Sequence, residues 1–229
     1  MVAKHIALLL GSFNPPHVGH TAIARWAVGS GAADEVWVVP TPHNPLKQAS
    51  ELAPWDDRLA MVRLAFERIA KVEICEVENS LPEPHYTINT IEHLKNIYPG
   101  VRFSILCGAD IERELPLWHR IDALRRMVDF VVYPRGQALG DLPLYDHNST
   151  EIRRGNGSQW LDPAVQSYIR EHKLYFYSPL LAAQKAWGAG QFGEVINLAT
   201  QNPAMVEIEK MAVMAREILD FRCTDIYNP

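Results

Sequence analysis

Cysteine is scarce in this sequence, basic charge is not in excess, and long hydrophobic runs are missing. The three cysteines, Cys75, Cys107 and Cys223, are odd in number, widely spaced and outside any C-x-x-C pattern. That excludes a closed disulfide framework and offers no zinc-ligand spacing, so they read as reduced, mostly buried thiols. Lys and Arg total 22 against 27 Asp and Glu, a formal net charge of −5. A non-specific nucleic-acid binder would carry a basic excess, so no nucleic-acid partner is expected. A local phosphate site needs only a few placed cations and is unaffected by this argument. No apolar stretch approaches the roughly 20 residues of a membrane span. The short apolar run near the N-terminus is cut by Gly11 and Pro15-Pro16, too early for a signal-peptide core. The expected compartment is the cytoplasm, with no membrane contact. There is no internal repeat, no low-complexity tract, no Ser-His-Asp arrangement and no nucleophilic cysteine pattern.

What is present is an alternation of short apolar strands and helical segments. Residues 6–10 form a continuous apolar run ended by Gly11, as in a strand buried on both faces. Further strands are expected at 35–39, 72–77, 101–107 and 128–133, with helices at 18–28, from 56 onward, and at 87–98. The pattern predicts an α/β, Rossmann-like doubly wound parallel sheet. In such sheets ligands sit outside the carboxyl ends of the strands. Residues 11–20, 108–110 and 133–136 are thereby predicted to share one rim. From about 178 the strand signals stop, and helical stretches are expected at 180–187, 192–200 and 204–221. The last carries an apolar stripe of Ile208, Met211, Ala215, Ile218 and Leu219. The expected division is a catalytic domain at 1–177 and a helical C-terminal extension at 178–229. Self-association, burial of an apolar patch and a lid over the site are the competing accounts of that extension.

The decapeptide at 11–20 reads Gly-Ser-Phe-Asn-Pro-Pro-His-Val-Gly-His. Gly11 permits a tight exit from the strand and a close approach to a ligand. Pro15-Pro16 stiffens the loop. The helix beginning near Val18 points unpaired N–H groups and its positive dipole end back at the loop, which makes an anion site. His17 and His20, three apart, fall on one side of the first helical turn and can donate N–H to phosphate oxygens. A phosphate there would favour their protonated forms. Taken alone, an H-x-x-H pair is equally open to a reading as metal ligands or as polar surface residues.

The whole string resembles the signature of the H-x-G-H nucleotidyltransferases, and within them the nicotinate (and nicotinamide) mononucleotide adenylyltransferases. The G-x-F-[DN]-P-x-H-x-G-H element of that family is matched at 11–20, and its late [ST]-[ST]-x-I-R element at 149–153, Ser-Thr-Glu-Ile-Arg. Tyr-Thr-Ile-Asn-Thr at 86–90, Gly-Ala-Asp at 108–110, Leu-Pro-Leu-Trp at 115–118 and a helix-to-strand stretch at 163–175 continue the likeness in order. His119 stands where an aromatic residue such as Tyr is often seen. The resemblance implies adenylyl transfer from ATP to nicotinate mononucleotide, with nicotinamide mononucleotide or another phosphorylated acceptor as alternatives. A non-catalytic nucleotide sensor is the rival outside the enzymes. It implies catalysis by His17, His20 and Arg153, and ATP or phosphate binding by Gly11, Ser12, Phe13, Ser149, Thr150, Ile152 and Lys47. Gly108 and Asp110 would hold the ribose and adenosine, and Tyr86, Thr87 and Trp118 the pyridine mononucleotide. Mg²⁺ is expected with ATP, held by phosphates and water rather than by direct protein ligands. Ser149 or Thr150 would cap a helix whose N-terminus takes phosphate, with Arg153 reaching the same anion a turn later.

Overall fold

The computed structural model describes residues 3–45, 52–108, 114–133, 148–153, 157–175, 186–201 and 206–224. By backbone contacts the chain divides into two compact units, one of residues 1–152 and 157–168, the other of 153–156 and 169–229. The boundary expected at 177 falls outside the described residues.

In the first unit the chain runs β1 (His5–Gly11), α1 (Val18–Gly29), β2 (Glu35–Pro40), α2 (Trp55–Phe66) and β3 (Val72–Ile74). It continues through α3 (Thr87–Ile97), β4 (Arg102–Gly108), α4 (Ile121–Met127) and β5 (Asp129–Tyr133) to α5 (Ser149–Arg153). The five strands form one parallel sheet in the order β3-β2-β1-β4-β5. The predicted doubly wound α/β architecture is therefore present. The chain steps outward from β1 to β3, then returns to place β4 on the other side of β1. Right-handed crossovers consequently put α1 and α2 on one face and α3 and α4 on the other. The order reverses between β1 and β4, and such a switch point opens a crevice at the carboxyl ends of those two strands.

Burial follows the pleat. Ile6 and Leu8 of β1 pack with Phe103 and Ile105 of β4 against Ile88, Ile91 and Leu94 of α3 and Leu124 of α4. Ala7 and Leu9, pointing the other way, are equally buried. This two-sided burial is why the strands read as unbroken apolar runs rather than alternating ones. The third strand is shorter than its alternation suggested: it stops at Ile74, and a 3₁₀ turn occupies Val77–Ser80.

The helix α6 (Pro163–Glu171) spans the division between the units. Among the described residues no strand follows it: residues 172–175 turn, with Lys173 and Tyr175 at positive φ. In the second unit, α7 (Phe192–Gln201) and α8 (Val206–Thr224) pack on each other around Ala186, Val195, Leu198, Ala199, Ala212 and Ala215. Met211 and Ala215 of the expected stripe face this small core, and so does Ala212, which the stripe did not include. Among the described residues, no helix is long and apolar enough to cross a membrane.

Candidate active site

The loop leaving β1 is buried from Ser12 to His17, and every turn of it is held by the surrounding chain. Thr41, just past β2, donates its N–H to the Gly11 carbonyl at 2.9 Å. The Asn14 side chain accepts from the Ala53 N–H at 3.0 Å. Phe13 takes a left-handed backbone conformation (φ 46°), unusual for a bulky residue. Its ring packs edge-on against His20 and Phe66, with centroids 5.1 and 5.8 Å apart. A Cβ on Gly11 would stand 3.3 Å from that ring. Gly11 thus supplies room for Phe13, and Phe13 carries the left-handed turn.

Arg58, on the first turns of α2, is 1% exposed. Its guanidinium donates to the carbonyls of Ser12, Thr41, Pro42 and Ala53 at 2.6–3.0 Å. One planar, permanently charged fork therefore ties the β1 loop, the β2 exit and the α2 entry together.

The two histidines close a reciprocal cap on α1. Nδ1 of His17 accepts from the Gly19 N–H at 3.2 Å, and Nδ1 of His20 accepts from the His17 N–H at 3.1 Å. Imidazoles here do the work of the Ser and Glu of a capping box. The rings lie 3.8 Å apart, tilted by 36°. With both Nδ1 atoms accepting, the neutral rings carry their proton on Nε2.

The distant Ser149 comes to this loop: its Oγ donates to the Pro15 carbonyl at 2.9 Å, across 134 residues of sequence. The cap of α5 is Asn148, whose Oδ1 accepts from the Glu151 N–H at 2.9 Å, rather than Ser149 or Thr150. Ser149 is the first helical residue and is left to grip the loop. Thr150 is exposed, while Ile152 is buried with its N–H on the Asn148 carbonyl. Arg153 ends α5 and is half-buried; it is the point at which the second unit begins.

On the far side of the switch point, Gly108 ends β4. Tyr86 precedes α3 without a side-chain cap, Thr87 is its first residue, and the first turn has no acidic side chain. These are the conditions for an anion site at a helix N-terminus. The Tyr86 ring stacks on His119, 4.2 Å between centroids and 20° apart. Trp118 leaves the Leu115–Leu117 turn in an extended conformation, half-buried against the core and Phe130. Lys47 and Asp110 lie outside the described residues.

Behind Tyr86 and Thr87 sits a carboxyl that sequence reading passed over. Glu78 is 1% exposed, and its Oε1 accepts from the Thr90 hydroxyl at 2.7 Å. Oε2 has no hydrogen-bond partner among the described residues. Burial pushes the carboxyl up to about 7, partly offset by the Thr90 and Thr41 hydroxyls. His85, beside Tyr86, is also buried, and burial is the main cause that lowers its imidazole.

The Cytidylyltransferase-like family model matches residues 8–155. A Flavobacterium johnsoniae protein named "Probable nicotinate-nucleotide adenylyltransferase" is 36% identical over 189 residues, covering 74% of this chain and 98% of its own. A protein of the same name from Anaeromyxobacter dehalogenans is 39% identical over 185 residues, covering 75% and 97%. The chain belongs to the nicotinate-nucleotide adenylyltransferase family. Among solved structures, Plasmodium falciparum nicotinic acid mononucleotide adenylyltransferase complexed with NaAD shares the fold at a TM-score of 0.62 and 15% identity. That match covers 76% of this chain and 98% of the other.

Three residues that hold these elements were not singled out from sequence. Arg58 had a signal: it is in helical phase with Met61, Val62 and Ala65, all buried, so a charge there had to be buried too. Asn148, immediately before Ser-Thr, fits the cap position as well as either of them. Glu78 had none, because its burial depends on the chain turning into a 3₁₀ helix after a strand that ends early.

Proposed function

We infer that the chain transfers the adenylyl group of ATP to the phosphate of nicotinate mononucleotide, forming deamido-NAD and releasing pyrophosphate in NAD biosynthesis. The observation that carries this reading is the meeting of the two phosphate motifs, through the hydrogen bond from Ser149 to the Pro15 carbonyl. A phosphate oxygen of the acceptor attacks the α-phosphorus of ATP, and the bond to the pyrophosphate oxygen breaks. The nucleophile arrives already ionised, so the protein needs no base or covalent intermediate. Its part is to align the two phosphates and to stabilise the charge that builds between them. His17 and His20 serve as catalytic donors through Nε2–H, with Gly11, Ser12 and Phe13 shaping the loop beneath them. Ser149, Thr150, Arg153 and Lys47 take the ATP phosphates, and Gly108 and Asp110 the nucleoside. The capless N-terminus of α3, at Tyr86 and Thr87, suits the ring carboxylate of nicotinate better than a neutral carboxamide. Trp118 flanks the ring.

Mg²⁺ seeks oxygen ligands. Among the described residues no group of three or more His, Cys, Asp or Glu is gathered for a metal, and both Nδ1 atoms at the loop are occupied by backbone donors. These residues fit an ion carried by the ATP phosphates, where it would neutralise charge on the leaving pyrophosphate. The reading assigns catalysis to residues 1–177 and places the protein in the cytoplasm, with its thiols reduced.

His20→Ala tests it. Loss of one transition-state donor typically lowers turnover about 10²–10³-fold, whereas losing the cap costs only ~1 kcal/mol. Pyrophosphate release with ATP and nicotinate mononucleotide should therefore collapse while thermal unfolding moves by a few degrees. Near-normal turnover would overturn the mechanism.

A further inference from the structure

Glu78 is a carboxyl in an unusual position. It is enclosed in the protein, with one oxygen bonded to Thr90 and the other without a hydrogen-bond partner among the described residues. Thr90 is also fully buried, and it lies in the first turn of α3, three residues after Thr87. Thr41, whose hydroxyl approaches the same carboxyl, is bonded through its backbone to Gly11 and to Arg58. The carboxyl is thus bonded to the helix that presents Tyr86 and Thr87 and lies near the strand exit that holds the phosphate loop. We propose that Glu78 is a positioning residue whose protonation sets how tightly the N-terminus of α3 receives an anionic ring on the acceptor.

This rests on the acceptor assignment above. A neutral Glu78 leaves the positive end of α3 available to a ring carboxylate. An ionised Glu78 places a negative charge one turn behind it, in surroundings that screen poorly, and repels that anion. Each group that acts on Glu78 can be named. Burial favours the neutral form, and the hydroxyls of Thr90 from α3 and Thr41 from the β2 exit favour the ionised one. Glu76 and the Cys75 thiol lie on its own segment, where burial is the main cause that raises the thiol and Glu78 adds to it. Arg58 stands across Thr41, bound to carbonyls. His85 is lowered mainly by its burial, with lesser effects from Glu83 and His43. With the carboxyl raised to about 7, the change falls in the physiological range. Acceptor binding is tight below that pH and weakens as pH rises through it.

The experiment compares kcat/KM for nicotinate and nicotinamide mononucleotide in wild-type enzyme and in Glu78→Gln, from roughly pH 6 to 8.5. Both acceptors carry the same phosphate, so effects at the phosphate loop cancel in the ratio of the two, while His85 and His119 beside Tyr86 are common to wild-type enzyme and Glu78→Gln. In wild-type enzyme the nicotinate preference should fall about fivefold across the range, through KM rather than kcat. In Glu78→Gln it should stay flat near its acidic value. Thr90→Val, which removes a hydroxyl that stabilises the ionised form, should move the midpoint to higher pH. A flat wild-type ratio, a slope that survives in Glu78→Gln, or an unmoved midpoint in Thr90→Val would each overturn the proposal. Failure to convert either acceptor at any pH would instead overturn the reading of the reaction.

Discussion

A guanidinium that holds four backbone carbonyls at once has no equivalent among the other side chains. Arg58 reaches Ser12, Thr41, Pro42 and Ala53 because its donors lie in one plane and point along different directions. A lysine in its place has a single ammonium on a flexible stem and would leave some of those carbonyls buried and unbonded. Each such group costs ~1–3 kcal/mol. Arg58→Lys should therefore lose roughly 2–4 kcal/mol in urea denaturation, and its turnover should fall at least ~10-fold because the loop under His17 and His20 loosens. Wild-type turnover in a destabilised variant would show that the clasp serves the fold and not the site. At this scale the sequence was legible where one residue type has one use. The paired histidines, the glycine and the late Ser-Thr were visible as a set. What could not be read was which atom each would use. That depended on the imidazoles turning Nδ1 toward the backbone, and on Asn148 taking the cap from Ser149.

Among the elements that meet at the loop after β1, α5 is the least self-supporting. Five residues are too few to hold a helix by themselves. It is fixed by the Asn148 cap, by the buried Ile152 and by the bond from Ser149 to Pro15. Ser149→Ala removes that last tie, worth ~1 kcal/mol in a typical case. The expected result is a several-fold rise in KM for ATP with kcat changed less, measured by initial rates of pyrophosphate release. An equal fall in kcat with KM unchanged would place Ser149 at the transition state instead. The strands and their order were readable because two-sided burial demands unbroken apolar runs, and an α/β alternation admits few topologies. The shortened β3 and the turn at 172–175 were not, since each is decided by backbone conformations at single residues, such as Lys173 and Tyr175 at positive φ.

Over the whole molecule, the described residues include two hydrophobic clusters that share no residue. One lies around Ile6, Leu8, Ile105 and Leu124, the other around Val195, Leu198, Ala212 and Ala215. The match to the family model ends at 155, so α7 and α8 lie beyond it. Their core is built largely from small residues, which lets the helices approach closely but buries little area for each residue ordered. It should therefore be the less stable of the two and respond to substitution separately. Ala212→Leu overfills a fully buried position, at a cost of ~1–3 kcal/mol. Leu8→Ala empties one in the central strand, at a cost of ~2–5 kcal/mol. In guanidinium unfolding followed by circular dichroism, the first substitution should move only an early transition and leave adenylyl transfer at ambient temperature intact. The second should move the later transition and reduce active enzyme. If both substitutions shift one common transition, the two cores fold as a single cooperative body, and α7 and α8 become part of what holds the catalytic sheet together.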